Sequence, residues 1–279
     1  DLWVAIQSKE PPDYIKNVGF TYNIERPYQQ VQHQLLKIKA WKNTGNFGRL
    51  NVVLSGQYNN RDEYDQKRFA SNSDAPQLSM SIATGIAEVV WDHYNTGKWR
   101  GTVGSSLMYQ NNSYVRRLFI PNYQSTNIGL FVIEKYSFKK TDVEAGVRFD
   151  SKQIFNTTDN NNQFIYQDLS FNNLSANAGI VHKFSQALKL TFNASTAWRA
   201  PQVNELYANG VHHGAARIER GNAGLTPERS NNLSANIIFT NSKWDIDAGA
   251  YIKQIDGFIF LEPTFPPELT IRGAFPSFR

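Results

Sequence analysis

Cysteine is absent from the 279 residues, which excludes a disulfide framework, a thiolate metal site and a cysteine nucleophile. No run approaches the ~20 consecutive apolar residues that a membrane helix needs. Positive charge is not massed anywhere: the net charge of +5 is spread along the chain, without the Lys/Arg block of a nucleic-acid footprint. No nucleic-acid partner is therefore expected. Motifs for bond chemistry are missing too. There is no G-x-S-x-G elbow, no H-E-x-x-H and no phosphate loop. The five histidines at 33, 93, 182, 212 and 213 are scattered, apart from the last two. Asp142, Glu144 and Asp150 offer paired carboxylates, but nothing near them in sequence supplies the apolar pocket that acid–base catalysis requires. An enzyme is not expected. The opening "DLWVAIQSKEPP" has neither the basic start nor the apolar centre of an export signal, so the expectation is a removed signal or an internal piece.

What the chain has in abundance is alternation. Val143, Ala145, Val147 and Phe149 fall on one side of a period-two pattern, with Asp142, Glu144, Arg148 and Asp150 on the other. Leu188, Leu190, Phe192, Ala194 and Trp198 repeat it against Lys189, Thr191, Asn193 and Ser195. Leu50, Leu54 and Tyr58, then Leu233, Ile237 and Phe239, then Trp244 and Ile246, do the same. This is the signature of a half-apolar strand. Strands are predicted near 17–26, 31–41, 49–60, 77–92, 98–110, 127–138, 141–152, 169–183, 188–198, 230–240 and 243–254, with a further one near 257–261.

Connections alternate between short and long. Short links fall at 42–48, 93–97, 138–140, 184–187 and 241–242; long polar ones fall near 61–76, 111–126, 153–168 and 199–229. A meander with its short turns at one end and its long loops at the other produces this order. The predicted strands exceed the five or six residues usual in soluble sheets and reach the ~9–11 that cross a bilayer at a tilt. Aromatics, 13% of the chain, gather near strand ends, as the girdles of outer-membrane barrels do. Mean hydropathy is only −0.49, but a barrel hides its apolar half on alternate residues. The fold class predicted is all-β: a transmembrane antiparallel up-and-down β-barrel, here about a dozen strands of a barrel of about 22. On this reading residues 1–279 are one partial barrel domain, with no plug domain and no signal peptide. A soluble glycan-binding β-sandwich and a porin-like or adhesin-like barrel without energised transport are the alternatives. Val143, Leu190, Phe192 and Ile237 decide between wall and sandwich: a second sheet packed on them would remove the barrel.

The long link at 199–229 carries the most specific residues. "AWRAPQVNELYANGVHHG" followed by "ERGNAGLTPERSNNL" resembles the TonB-dependent outer-membrane receptors at Arg199, Ala200, Pro201, Asn204, Glu205, Leu206 and Tyr207, then Gly221, Asn222, Leu225 and Glu228. The resemblance implies a bacterial outer-membrane protein that takes up a scarce ligand: an iron chelate, haem, zinc or similar. It implies energy from the TonB complex, reached through an N-terminal part that this chain lacks, and a plug domain of the same parent protein in the lumen. Membrane lipid and lipopolysaccharide are the other partners implied. The mixed charges of 61–76 and the inward ladder of Asp142, Glu144, Arg148 and Asp150 are candidates for contact with lipopolysaccharide or plug, or simply for solvation.

Two readings of the loop stand side by side. His212 and His213, with Glu205 and Glu219, offer nitrogen and oxygen ligands suited to a borderline cation such as Zn²⁺; "LYANGVHHG" is similar to the zinc-uptake branch of the family. Tyr207 joins them as a ligand-contact candidate. No cofactor is required, and a metal or iron chelate would be cargo. In the other reading Arg199, Pro201, Asn204, Glu205, Gly221, Asn222, Leu225 and Glu228 fold the loop onto the rim, with the histidines solvated. That folding role is the one expected for Asn204, Glu205 and Asn222. Gly221-Asn222 and Thr226-Pro227 supply turn chemistry for the return to the next strand.

Overall fold

The computed structural model describes residues 19–20, 22–64, 74–94, 98–116, 119–160, 163–212, 217–270 and 273–279. Ten strands form one antiparallel sheet in the order β1-β2-β3-β4-β5-β6-β7-β8-β11-β12. They run Tyr28–Asn43 (β1), Arg49–Tyr64 (β2), Leu78–Tyr94 (β3), Trp99–Arg116 (β4), Asn122–Phe138 (β5), Thr141–Asn160 (β6), Gln163–Lys183 (β7), Leu188–Arg199 (β8), Glu228–Thr240 (β11) and Asp245–Asp256 (β12). Between β8 and β11 the chain forms a short helix, α1 (Val203–Tyr207), and the hairpin β9 (Asn209–His212) and β10 (Arg217–Arg220). After β12 come β13 (Pro263–Thr270) and β14 (Gly273–Phe278), which join β9 and β10 in a four-stranded sheet ordered β13-β14-β10-β9.

From β1 to β8 and from β11 to β12 consecutive strands are neighbours, as short connections require, and β11 returns beside β8 after the long loop. Among the described residues no second sheet covers its apolar side: Val143, Phe192 and Ile237 keep 38%, 43% and 48% of their surface exposed. The cross-strand pairs Val132↔Val147, Ile180↔Phe192 and Leu190↔Ile237 set these rows side by side. The sandwich alternative fails on this point, and the apolar rows form a continuous wall face. On the opposite face Arg148 pairs with Asp150 at 2.7 Å and Lys135 with Asp142 at 3.7 Å. Asp142, Arg148 and Asp150 thus meet partners within the wall.

The strands run longer than the alternation indicated. Where long links were expected at 111–126 and 153–168, β4 continues to Arg116, β5 starts at Asn122, β6 continues to Asn160 and β7 starts at Gln163. The ladder is unbroken there, through pairs such as Asn111↔Gln124 and Gln153↔Ser170. Apolar alternation marks only the part of a strand that meets hydrocarbon, whereas the backbone ladder needs only a paired neighbour. The polar extensions therefore read as loop by pattern and fold as strand. Two expected strands are corrected. Residues 22–27 are irregular, with residues 17, 18 and 21 outside the described set. The strand expected near 257–261 is displaced to β13, because Gly257 takes φ +65° and breaks the extended chain after β12. Most of the mixed-charge link, residues 65–73, lies outside the described residues.

Among the described residues, buried apolar packing is confined to the long-loop rim. Ile154 on β6 packs with Val203 and Leu206 of α1, joined by Leu169, Phe171, Tyr207 and Leu225. Leu78 at the start of β3 packs with Phe119 and Ala208. Among the described residues the middle of the wall has no such core, which suits a sheet whose apolar side faces lipid instead of a second layer.

Candidate functional site

The loop between β8 and β11 is built around one guanidinium. Arg199, the last residue of β8, donates from Nη1 to both oxygens of Glu205 at 2.8 Å. It also donates from Nε to Glu228 Oε2 at 2.8 Å and from Nη2 to Oε1 at 3.0 Å. Arg199 and Glu228 are direct cross-strand partners, so the loop's two feet are clamped to each other and to its first helix. Planar, two-pronged pairing of this kind is stronger and more directional than a lysine contact. The remaining acceptor capacity is filled as well. Glu205 accepts from the Gln202 N–H at 2.7 Å, which closes the first turn of α1, and Glu228 accepts from the Ile259 N–H at 2.6 Å. With two carboxylates on one guanidinium, Arg199 is held even more firmly in its charged form.

The other motif residues complete the fold of the loop. Ala200, Pro201, Val203 and Leu206 are buried. The Asn222 N–H donates to the Glu205 carbonyl at 2.8 Å, and the Gly221 N–H to the Ala208 carbonyl at 2.7 Å. Gly221 lies against the backbone of α1; a Cβ there would stand 2.4 Å from Tyr207 N and 2.5 Å from Leu206 C. Asn222 Oδ1 accepts from the Gly224 N–H at 2.9 Å, and Leu225 packs on the Leu206 cluster. Asn204 is exposed, and its carbonyl takes the Ala208 N–H at 3.0 Å. Tyr207 is half-buried against the same cluster.

The tip of the loop is a separate arrangement. His212 Nδ1 lies 2.8 Å from Glu219 Oε1, and Arg217 Nε donates to that same oxygen at 2.6 Å. The carboxylate only accepts, so Nδ1 carries the proton. Burial pushes the Glu219 carboxyl up, but the hydrogen bonds from His212 and Arg217 more than offset it and hold the group below the ordinary glutamate value. The His212 ring packs on Phe119, with centroids 5.0 Å apart. Arg217 lies over the Phe278 ring at 5.2 Å, and Arg220 forms a two-pronged pair with Glu268 at 2.9 and 2.6 Å. These contacts stitch the hairpin to β13 and β14, whose sequence lies some fifty residues away.

The four proposed ligands therefore divide. His212 and Glu219 meet each other, Glu205 is engaged by Arg199, and His213 lies outside the described residues. Among the described residues no three His, Asp or Glu side chains converge on a common point. Phe119, Gln202, Arg217, Ile259 and Glu268 escaped sequence reading. Only Gln202 carried a local signal, three residues before Glu205 at a helix start.

The chain matches a known family. Residues 7–274 fit the family model described as TonB dependent receptor-like, beta-barrel. The chain belongs to the TonB-dependent receptor family. It is thus a β-barrel component of the bacterial outer membrane. Transferrin-binding protein A of Neisseria meningitidis serogroup B is 32% identical to it over 109 residues, covering 38% of this chain and 11% of that protein. Lactoferrin-binding protein A of the same species is 26% identical over 156 residues, 54% of this chain and 16% of that protein. Among solved structures, the Serratia marcescens hemophore receptor HasR, in complex with its hemophore HasA and heme, superposes with a TM-score of 0.71 at 14% identity. That match covers 91% of this chain and 44% of the receptor. The FrpB iron transporter of Neisseria meningitidis gives 0.64 at 14% identity, covering 90% and 39%. The chain thus spans less than half of the receptors it superposes on, and the stretches it shares with the curated relatives are about a tenth to a sixth of their length.

Proposed function

We propose that this chain is part of the wall and outer rim of an uptake receptor that moves a scarce, metal-bearing ligand inward with energy delivered through TonB. The observation that carries the reading is the coincidence of the family match over 7–274 with a clamped loop exactly where the long connections gather. A rigid rim lets neighbouring loops hold convergent polar groups in place. The relatives' names point to the cargo class: one binds transferrin, one is a receptor for a heme carrier, one is an iron transporter. The work is binding and translocation, without bond chemistry. The polar inner face would seat the plug of the parent protein, and the apolar rows would face lipid, with lipopolysaccharide around the outer ends.

Within the loop, the Arg199 clamp is the framework. His212, with His213 beside it in sequence, is the candidate contact for zinc or an iron chelate. The test uses the full-length receptor in cells under iron limitation. Uptake should fall to background when the proton gradient is collapsed or TonB is removed; uptake that persists would make the protein a passive pore. Elemental analysis of the purified receptor, native and with His212→Ala and His213→Ala together, separates the metal question. Equal zinc and iron in both would remove the histidines from the ligand set and leave the receptor reading standing.

A further inference from the structure

The apolar side of the wall carries a charged pair close to its short-turn end. His93 on β3 and Glu134 on β5 share a register row with Gly101 of β4, and the row continues to Ala145, an apolar-face position of β6. His93 Nε2 lies 2.9 Å from Glu134 Oε1, across the intervening strand. Gly101 leaves room for that reach: a Cβ there would stand 2.6 Å from both His93 Nε2 and Glu134 Oε2. The carboxylate only accepts, so Nε2 carries the proton. Oε2 makes no hydrogen bond among the described residues, and Glu134 keeps 36% of its side chain exposed. The neighbouring cations Lys135 and Arg100 stand on the lumen face, because side chains alternate along a strand, and Lys135 is paired with Asp142 there. Aromatic rings border the pair. Trp91, two residues back along β3, has its ring centroid 5.4 Å from that of His93, and its Nε1 donates to the Phe47 carbonyl at 2.9 Å. In the next row toward the turns, Trp99 and Tyr136 meet with centroids 4.9 Å apart. β3, β4 and β5 have paired neighbours on both sides, so wall strands outside this chain do not cover the pair, and the lumen is on the other face.

We infer that Glu134 forms a lipid-headgroup subsite for a primary ammonium, in the leaflet opposite the long loops. The ammonium donates to Oε2, His93 orients the carboxylate through Oε1, and the acyl chains lie along the apolar rows. The bordering Trp and Tyr rings place the pair at the membrane interface, where aromatic girdles sit and a charge on the lipid face costs least. A headgroup that brings both the opposite charge and an N–H donor makes a charge-assisted hydrogen bond there. A choline headgroup has the charge but no N–H, and a glycerol headgroup leaves the lipid negative and is repelled. The subsite rests on the lipid-facing reading of the apolar rows and not on energised uptake.

The experiment is native mass spectrometry of the full-length receptor in detergent, titrated with phosphatidylethanolamine, phosphatidylcholine or phosphatidylglycerol of the same acyl chains. Phosphatidylethanolamine should bind about fivefold tighter than either of the others, the top of the range for a partly exposed charge pair. Glu134→Gln should bring it down to the level of phosphatidylcholine. Gly101→Val, which drives a side chain between His93 and Glu134, should do the same. Glu144→Gln, on the lumen face, should keep the native preference. Unboiled gel mobility of each variant shows that the barrel is intact. Equal binding of phosphatidylethanolamine and phosphatidylcholine by the native receptor would overturn the subsite. So would phosphatidylglycerol binding as tightly as phosphatidylethanolamine, or a native preference that survives Glu134→Gln. The stability of Val147→Arg against Val147→Leu separates the two levels. If those variants differ while the headgroup preference is missing, the subsite alone is removed; if they behave alike, the lipid-facing reading beneath it fails.

Discussion

The bilayer wall and the loop above it obey different rules. In the wall, Val132, Val147, Phe192 and Ile237 are interchangeable members of rows; their apolar character matters, and the lipid that covers them imposes no shape. In the loop, Arg199, Glu205, Leu206, Gly221 and Glu228 each meet a specific partner at hydrogen-bond or contact distance. The wall is held by a ladder that any residue but proline can extend. The rim is held by side chains. The comparison also runs inside the loop, between the clamped base around Arg199 and the tip around Glu219, which is joined to the next hairpin by the β10–β14 pairing, the Arg220–Glu268 ion pair and Arg217 over the Phe278 ring.

Five substitutions sharpen that contrast. Leu206→Ala empties the centre of the rim cluster and should cost about 2–5 kcal/mol, read as loss of protease resistance in the 199–229 loop and lower thermal stability; a change below 1 kcal/mol would deny the cluster its role. Val147→Arg places a charge on the lipid face roughly mid-bilayer and should cost about 2–4 kcal/mol, whereas Val147→Leu should be silent in the same assay. If Arg and Leu behaved alike, that face would not touch hydrocarbon. Arg199→Ala leaves Glu205 and Glu228 facing each other; with 35% of the arginine side chain in solvent, roughly 1–3 kcal/mol is expected. Arg199→Lys should recover only part of it, because a point charge cannot serve two carboxylates in plane. Hydrogen exchange of 202–207 would report both variants.

The smallest effect is at the tip, and it is pH-dependent. The Glu219 carboxyl is depressed, with burial opposed by His212 and Arg217; that of Glu268 is depressed chiefly by Arg220, burial again working the other way. Folded values below the unfolded ones mean that the stabilisation is present above the ordinary glutamate pKa of about 4.3. It is lost as pH falls through the lower folded values. Amide exchange in β9, β10 and β14 should therefore accelerate on acidification below about pH 4, while exchange in 202–207 lags behind. Glu219→Gln should flatten the β9–β10 response. An unchanged acid response in that variant would assign the transition to other groups.

Much of the wall was legible because a bilayer reads only polarity. Val143 to Phe149 alternate in sequence and alternate in space, and no distant residue was needed to place them. Legibility stopped where the lipid stops. The ladder from Asn111 to Arg116 and from Gln153 to Asn160 is made of polar residues that solvent accepts on both faces, so its pattern is silent while its backbone pairing continues. The base of the loop was legible as a motif, and the structure gives its members folding roles; Glu205 in particular serves Arg199 and α1, where metal ligation was one of two readings.

By itself, then, the sequence determined the class of sheet, the face each wall residue presents and the positions of the tight turns, since these follow from a two-residue repeat and local backbone preference. Tertiary structure alone decided what Glu228 and Glu268 do. Glu228 meets Arg199 from 29 residues away in sequence, and Glu268 meets Arg220 from 48. An ion pair of this kind is a property of two positions brought together, and no stretch of chain encodes it alone.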